Sequence, residues 1–180
     1  MIIPSLPADL YYDNKLVGRV YARQAASSRL YIIDIDPRVL TPCPTPNNPN
    51  VMNEDSFQRL GQSIDKLEFG QSIAVGIPWS QKEQVTIRNG AVHLLVKPDV
   101  LDGTHRLEHA LLQNLERLPA IWYSTLRRGE DKLIRAAFNA DRGHIDRTIL
   151  HQQMASILVE QGAFPIEDMV LLTGADRMPI

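Results

Sequence analysis

Apolar and polar residues alternate through the first two thirds of the chain, and helical periodicity takes over in the last third. Tyr11-Tyr12 and Val17 to Tyr21 read as short strands about a turn at Asp13-Asn14-Lys15, and Ala25 to Ser28 as loop. Leu30 to Asp36 is rich in β-branched and aromatic residues and stops at Pro37, which predicts a strand. From Thr41 to Asn53, Pro42, Pro44, Pro46 and Pro49 forbid a helix or a central strand, leaving a surface loop able to cover a pocket. Asn53-Glu54-Asp55 then supplies a cap and two carboxylates for a helix whose apolar stripe is Phe57, Leu60, Ile64 and Leu67, ending at Glu68-Phe69-Gly70.

Further on, Ser72 to Ile77 predicts a strand, and Gln84 to Arg88 with Ala91 to Lys97 flank Asn89-Gly90, a strong type I′ hairpin signal. Val100 to Leu112 combines a short strand, a glycine turn and an amphipathic helix, and Leu118 to Tyr123 is another strand. Trp122 and Tyr123 lie in it and read as core rather than base-stacking residues. Helical patterns close the chain at about 130–139, 146–161 and 165–172. Strands early and helices late predict an α+β fold.

Composition narrows the class. The 180 residues are 44% hydrophobic and 22% charged, values of a globular domain able to bury a core without staples. The net charge, 19 − 21 = −2, excludes a polybasic nucleic-acid binder. Cys43 is alone, so an intramolecular disulfide and a Cys-rich zinc site are ruled out. The start shows no secretory pattern and no apolar run approaches a membrane span, so a cytoplasmic protein without membrane contact is expected.

The candidate chemistry lies in Asp102-Gly103-Thr104-His105-Arg106. A glycine before a helix permits a sharp turn and leaves the first helical N–H groups available, at the positive end of the dipole. Such a terminus accepts anions, with Arg106 able to add a charge-assisted contact and His105 a further donor. An ordinary strand-to-helix turn with two solvated side chains is equally consistent with the residues. Residues 104–150 hold eight Lys/Arg and six Asp/Glu, net +2, and Arg127, Arg128, Arg135, Arg142 and Arg147 could gather on one side.

Leu101 to Ala110 resembles the Gly-x-[His/Arg]-Arg signature of the ParB/sulfiredoxin superfamily. Around it Ile35-Asp36-Pro37, Asn48-Pro49, Leu60-Gly61-Gln62-Ser63-Ile64, Gly70-Gln71 and Leu118 to Ile121 follow in the family's order. The resemblance implies a mixed sheet with packed helices over residues 30–145. Residues 1–29 would be an N-terminal extension able to form a hairpin, and 146–180 a helical C-terminal extension. It further implies a nucleotide pocket for ATP or CTP with Mg²⁺. There His105 and Arg106 would contact phosphates beside Gly103 and Thr104, and Asp102 would orient the turn or assist a metal. Ser63 and Arg59, neighbours at i and i+4 on one helix face, would reach in from the first helix.

Phe138-Asn139-Ala140-Asp141-Arg142 resembles the Glu-Asn-x-x-Arg stretch of ParB-type nucleotide switches, with phenylalanine in place of glutamate. Asn139 and Arg142 would close the site and Asp141, with Asn139, could hold Mg²⁺; a helix end followed by a solvated arginine is the plainer reading. Thr104 stands where sulfiredoxin-like enzymes carry their reactive cysteine, so thiol chemistry is excluded. The implied function is an NTPase, or a DNA nuclease, serving plasmid or chromosome maintenance, transfer or regulation, with nucleotide, DNA and a protein as partners. A non-catalytic nucleotide- or DNA-responsive module and a small-molecule kinase are the alternatives. His105-Arg106-Leu107-Glu108-His109 also fits an H-x-x-E-H zinc-peptidase pattern, which lacks an assigned third ligand. Ile166 to Asp176 resembles the first helix and turn of a helix-turn-helix, although a helix packed on the domain explains it as well.

Overall fold

The computed structural model describes residues 1–43, 52–67 and 71–140, excluding the side chains of Leu67, Asn139 and Ala140. The proline-rich stretch 44–51, the helix end at 68–70, Asp141, Arg142, Arg147, the two later helical patterns and the 166–176 motif lie outside the described residues.

Eight strands form one mixed sheet. They are β1 (Ala8–Tyr12), β2 (Lys15–Arg23), β3 (Leu30–Ile35), β4 (Ile73–Gly76), β5 (Val85–Arg88), β6 (Ala91–Leu94), β7 (Asp99–Asp102) and β8 (Leu118–Tyr123). Their order is β5-β6-β1-β2-β3-β8-β4-β7. Pairing is antiparallel except between β1 and β6 and between β4 and β8. The helices are α1 (Glu54–Leu67), α2 (Thr104–Leu112) and α3 (Glu130–Ala140), with a 3-10 turn at Pro37–Val39. This is the α+β class that the strand-rich start and helical end predict.

Local chemistry sets most boundaries. Asn53 caps α1 by accepting the Ser56 N–H at 2.8 Å. At the β5–β6 turn, Asn89 and Gly90 have φ of 51° and 78°, the positive pair that a type I′ turn requires. Asp13 and Asn14 do the same between β1 and β2, with φ of 50° and 58°. The turn is therefore two residues long, and Lys15 already belongs to β2 rather than to the turn. The first 29 residues supply β1 and β2 to the shared sheet, with β2 hydrogen-bonded to β3.

The two faces of the sheet are covered unequally. Tyr31, Ile33 and Ile35 of β3 and Leu118, Ala120 and Trp122 of β8 point into the main core, joined by Leu10, Val20, Ile73 and Val75. Leu107 and Ala110 of α2 close that core. On the opposite face Ala74, Leu101 and Leu126 form a second cluster with Tyr123, Ile134 and Phe138, through which α3 packs on the sheet. Trp122 is in the main core as expected, whereas Tyr123 is half-buried beneath α3. Every residue of β4 is buried because both of its faces are covered. No helix among the described residues is long and apolar enough to cross a membrane.

An ion pair ties α3 to the edge of β3. Glu130 accepts hydrogen bonds from Arg29 at 2.5 and 2.8 Å and from the Arg127 N–H at 2.8 Å. Burial pushes its carboxyl pKa up, but the Arg29 hydrogen bonds, the Arg127 N–H and both positive charges outweigh that, holding it below the usual glutamate value. The folded-state pKa is thus below the unfolded one of about 4.3, so the stabilisation is fully present above that pH and is lost below it, as pH falls through the folded value. Glu130→Gln should lower stability by about 1–3 kcal/mol at pH 7, discounted for the half-exposed Arg29 partner. Urea unfolding at pH 7, 5 and 3.5 should show the gap to wild type closing with acid. A constant gap would refute the ionic origin.

Candidate functional site

The turn from β7 into α2 is built around one residue. Gly103 occupies the N-cap position with φ 95° and ψ 28°, in the left-handed region. A Cβ there would stand 2.6 Å from Ile73 Cγ2, so both conformation and space demand glycine. Its carbonyl accepts the Leu107 N–H at 2.9 Å, closing the first turn. A glycine offers no side-chain cap, and Thr104, His105 and Arg106 form the first turn at the positive end of α2.

Arg106 is turned inward. Its Nη1 donates to the carbonyls of Gln71 and Ser72, each at 2.9 Å, and its Nη2 pairs with Asp102 at 3.0 Å. The residue is 9% exposed and Asp102 is similarly enclosed. These contacts lock the helix start to the strand before it and to the approach to β4. The sequence brings Arg106 and Asp102 together at i and i+4. It gives no sign of the two carbonyls, which arrive from a segment more than thirty residues earlier.

His105 lies at the margin of the turn. Its Nδ1 is 3.1 Å from Glu108 Oε2, and its ring meets the edge of Phe57 at a centroid distance of 6.3 Å. His109 stands one turn on, packed at 6.0 Å from Phe57, with Nε2 3.6 Å from Asp65 Oδ1. Gln113 hydrogen-bonds the same Asp65 carboxylate. Gly61 of α1 faces the His109 imidazole so closely that any Cβ would overlap it. The two histidines of the H-x-x-E-H pattern therefore share Phe57 but turn ring nitrogens to different carboxylates, Glu108 and Asp65. Among the described residues no group of three or more His, Cys, Asp or Glu could hold a metal ion.

Arg59 and Ser63 do share a face of α1, and both are exposed. Helical spacing of 100° per residue sets that face opposite Phe57 and Gly61, the side packed on α2. Arg59 donates to the Asp55 carbonyl at 3.3 Å. Phe138 packs into the second apolar cluster. The Asn139 side chain, Asp141 and Arg142 lie outside the described residues. Arg135 is buried against Asp99 at 3.2 Å and Asp131 at 3.5 Å, and Arg128 lies over Trp79, so among the described residues Arg135 does not join an exposed basic patch with Arg128. Cys43 is half-buried, and burial pushes its thiol pKa up, which disfavours the reactive thiolate.

No family model matches the chain, and no curated protein matches it in sequence. Solved structures do. One is the C-terminally truncated chromosome-partitioning protein ParB from Caulobacter crescentus complexed to the centromeric parS site, at 16% identity and TM-score 0.49, covering 78% of this chain and 64% of that one. A second is the truncated Caulobacter crescentus ParB complexed with CTP-γ-S, at 17% identity and TM-score 0.45, covering 79% and 71%. A third is a Pnob8-like ParB-N domain, at 13% identity and TM-score 0.47, covering 84% and 51%. The match thus spans 64% of the parS-bound chain's length.

Gly103→Ala should cost about 2–4 kcal/mol in urea unfolding, adding left-handed strain to the overlap with Ile73. Gly61→Ala should cost about 1–3 kcal/mol. That loss should largely vanish in the background His109→Ala, since the double-mutant cycle removes the ring that the new methyl would strike. Additive losses would show that α1 and α2 do not meet there.

Proposed function

We propose that this chain binds a nucleoside triphosphate, CTP or ATP, at the N-terminus of α2, and acts as a nucleotide-responsive module in DNA maintenance or regulation. The observation that carries the reading is the left-handed Gly103 turn, whose uncapped helix start is pinned by Arg106 and Asp102. A pinned terminus presents backbone donors in fixed positions, so an anion binds without paying to order them. The resemblance of Asp102 to Arg106 to the nucleotide-binding signature supports the choice of ligand class. In this arrangement Thr104 and His105 face the phosphates through their N–H groups, and Arg106 is a positioning residue that acts through the turn. Mg²⁺ accompanies the nucleotide, supplying charge neutralisation; Asp141 and Asn139 remain the candidates to contact it.

Phe138 favours binding over hydrolysis. In place of a carboxylate it packs against Ala74, Leu101 and Leu126, and so contributes apolar contact at that position. Slow hydrolysis is the second reading, favoured by the pairing of His105 Nδ1 with Glu108, since a carboxylate-oriented imidazole is a competent proton carrier. DNA is the proposed macromolecular partner in either case.

Calorimetric titration with CTP and ATP in the presence of Mg²⁺ tests the reading on wild type, His105→Ala and His105→Glu. A carboxylate near a helix N-terminus favours the helix while repelling phosphate. The gain at the helix start is offset by the lost pairing with Glu108 and by repulsion from it at i+3, so His105→Glu should leave the protein folded without a rise in melting temperature and weaken nucleotide binding at least ten-fold, with a smaller loss for His105→Ala. Phosphate release measured alongside separates the two readings. Failure of both nucleotides to bind the wild type would overturn the proposal.

A further inference from the structure

At the far end of β4 from Gly103, the loop after Ile77 carries Trp79, which is 44% exposed, against 1% for Trp122, the other tryptophan of the chain. An indole offers a broad apolar face with a polar N–H, the combination enriched where proteins meet partners. The Arg128 guanidinium sits 5.8 Å from its ring centroid. This pair spans two segments, the loop after β4 and the turn after β8. The parallel register Gly76 to Tyr123 places those segments at the same end of the sheet.

The turn that presents Arg128 is rigid for stated reasons. Leu126 is buried in the second apolar cluster, Gly129 adopts φ 75°, and the Arg127 N–H is held by the Glu130 carboxylate. The neighbouring acids are engaged elsewhere: Glu130 with Arg29, and Asp131 with Arg135. Arg127 and Arg128 are exposed, and the charges of Lys82 and Glu83 in the Trp79 loop cancel. The result is an open aromatic face beside two exposed guanidinium groups that form no ion pair among the described residues, on a fixed frame.

We propose that Trp79, with Arg128 and Arg127, is a stacking and phosphate-contact site for single-stranded nucleic acid. A base supplies a π-face for the indole while its flanking phosphates meet the arginines, the combination that sequence-tolerant single-strand sites use. An acidic peptide would satisfy the charge and leave the indole without a stacking partner. The site is separate from the nucleotide cradle and does not rest on it. It also fits the overall charge of −2, because affinity here comes from placed groups rather than from bulk positive charge.

The experiment uses the full chain and a fluorescein-labelled dT20 oligonucleotide, read by anisotropy at 50 mM and 200 mM salt. Because Trp122 is buried, quenching of tryptophan emission by unlabelled dT20 reports on Trp79. The expected results are binding at 50 mM salt with quenching, and a loss of roughly ten-fold in affinity for Trp79→Ala. Arg128→Ala should weaken binding several-fold and flatten the log affinity against log salt slope by about 0.7. Trp79→Phe, which keeps a ring, should retain most of the affinity and serves should Trp79→Ala unfold. His105→Glu should bind dT20 as wild type does, which separates this site from the nucleotide cradle. No binding of dT20, equal binding by Trp79→Ala with unchanged melting temperature, equal affinity for a blunt duplex, or tighter binding of polyglutamate would each overturn the proposal.

Discussion

The inward anchoring of Arg106 is the contact on which the functional end of the domain depends. One guanidinium joins the Asp102 carboxylate at the end of β7 to the carbonyls of Gln71 and Ser72 just before β4. Arginine suits this place because its planar fork can serve several acceptors at once and stays charged when enclosed. Without it, the largely enclosed Asp102 carboxylate would lose a charged donor and two carbonyls a shared one, at a cost larger than the net worth of any one bond. The same contacts hold the left-handed Gly103 against Ile73, and so determine where the helix begins and which way its first N–H groups face.

Around that anchor the two faces of the sheet divide their tasks. The face under α2 carries the large core of Trp122, Tyr31, Leu107 and the β3 and β8 stripes, where most apolar area is removed from water. The opposite face is covered at one end by α3 through Leu101, Leu126 and Phe138, leaving Ile32 and Tyr21 exposed on β3 and β2. β4, buried from both sides, transmits the packing of one layer to the other. Its beginning meets Gly103 and its end leads to Trp79, so the two proposed ligand surfaces lie at opposite ends of one rigid strand.

Legibility in the sequence tracked the range of the responsible force. Local chemistry was readable: Asn53 as a cap, Asn89-Gly90 as a turn, the period-two stripes of β3 and β8, and glycine before α2. Ranges differed by a few residues where pairing decided them, as at β2, which pairing with both β1 and β3 extends to Lys15–Arg23. Site geometry was less legible. Arg59 and Ser63 do share a helix face, but only the packing of Gly61 on His109 decides that this face looks outward. The inward turn of Arg106 depends on carbonyls distant in sequence. Trp79 carried no motif at all; its exposure and its approach to Arg128 exist only once β4 and β8 lie side by side.

By itself, then, the sequence determined the α+β class, the turn chemistry and the helix start at Gly103, because these follow from backbone sterics and the periodicity of burial within a few residues. Tertiary structure alone decided that Arg106 anchors rather than projects, that Phe138 fills an apolar cluster, and that Trp79 meets a guanidinium. Each depends on groups remote in sequence that meet only after the sheet is assembled, and long-range contact carries no local signature for a sequence to show.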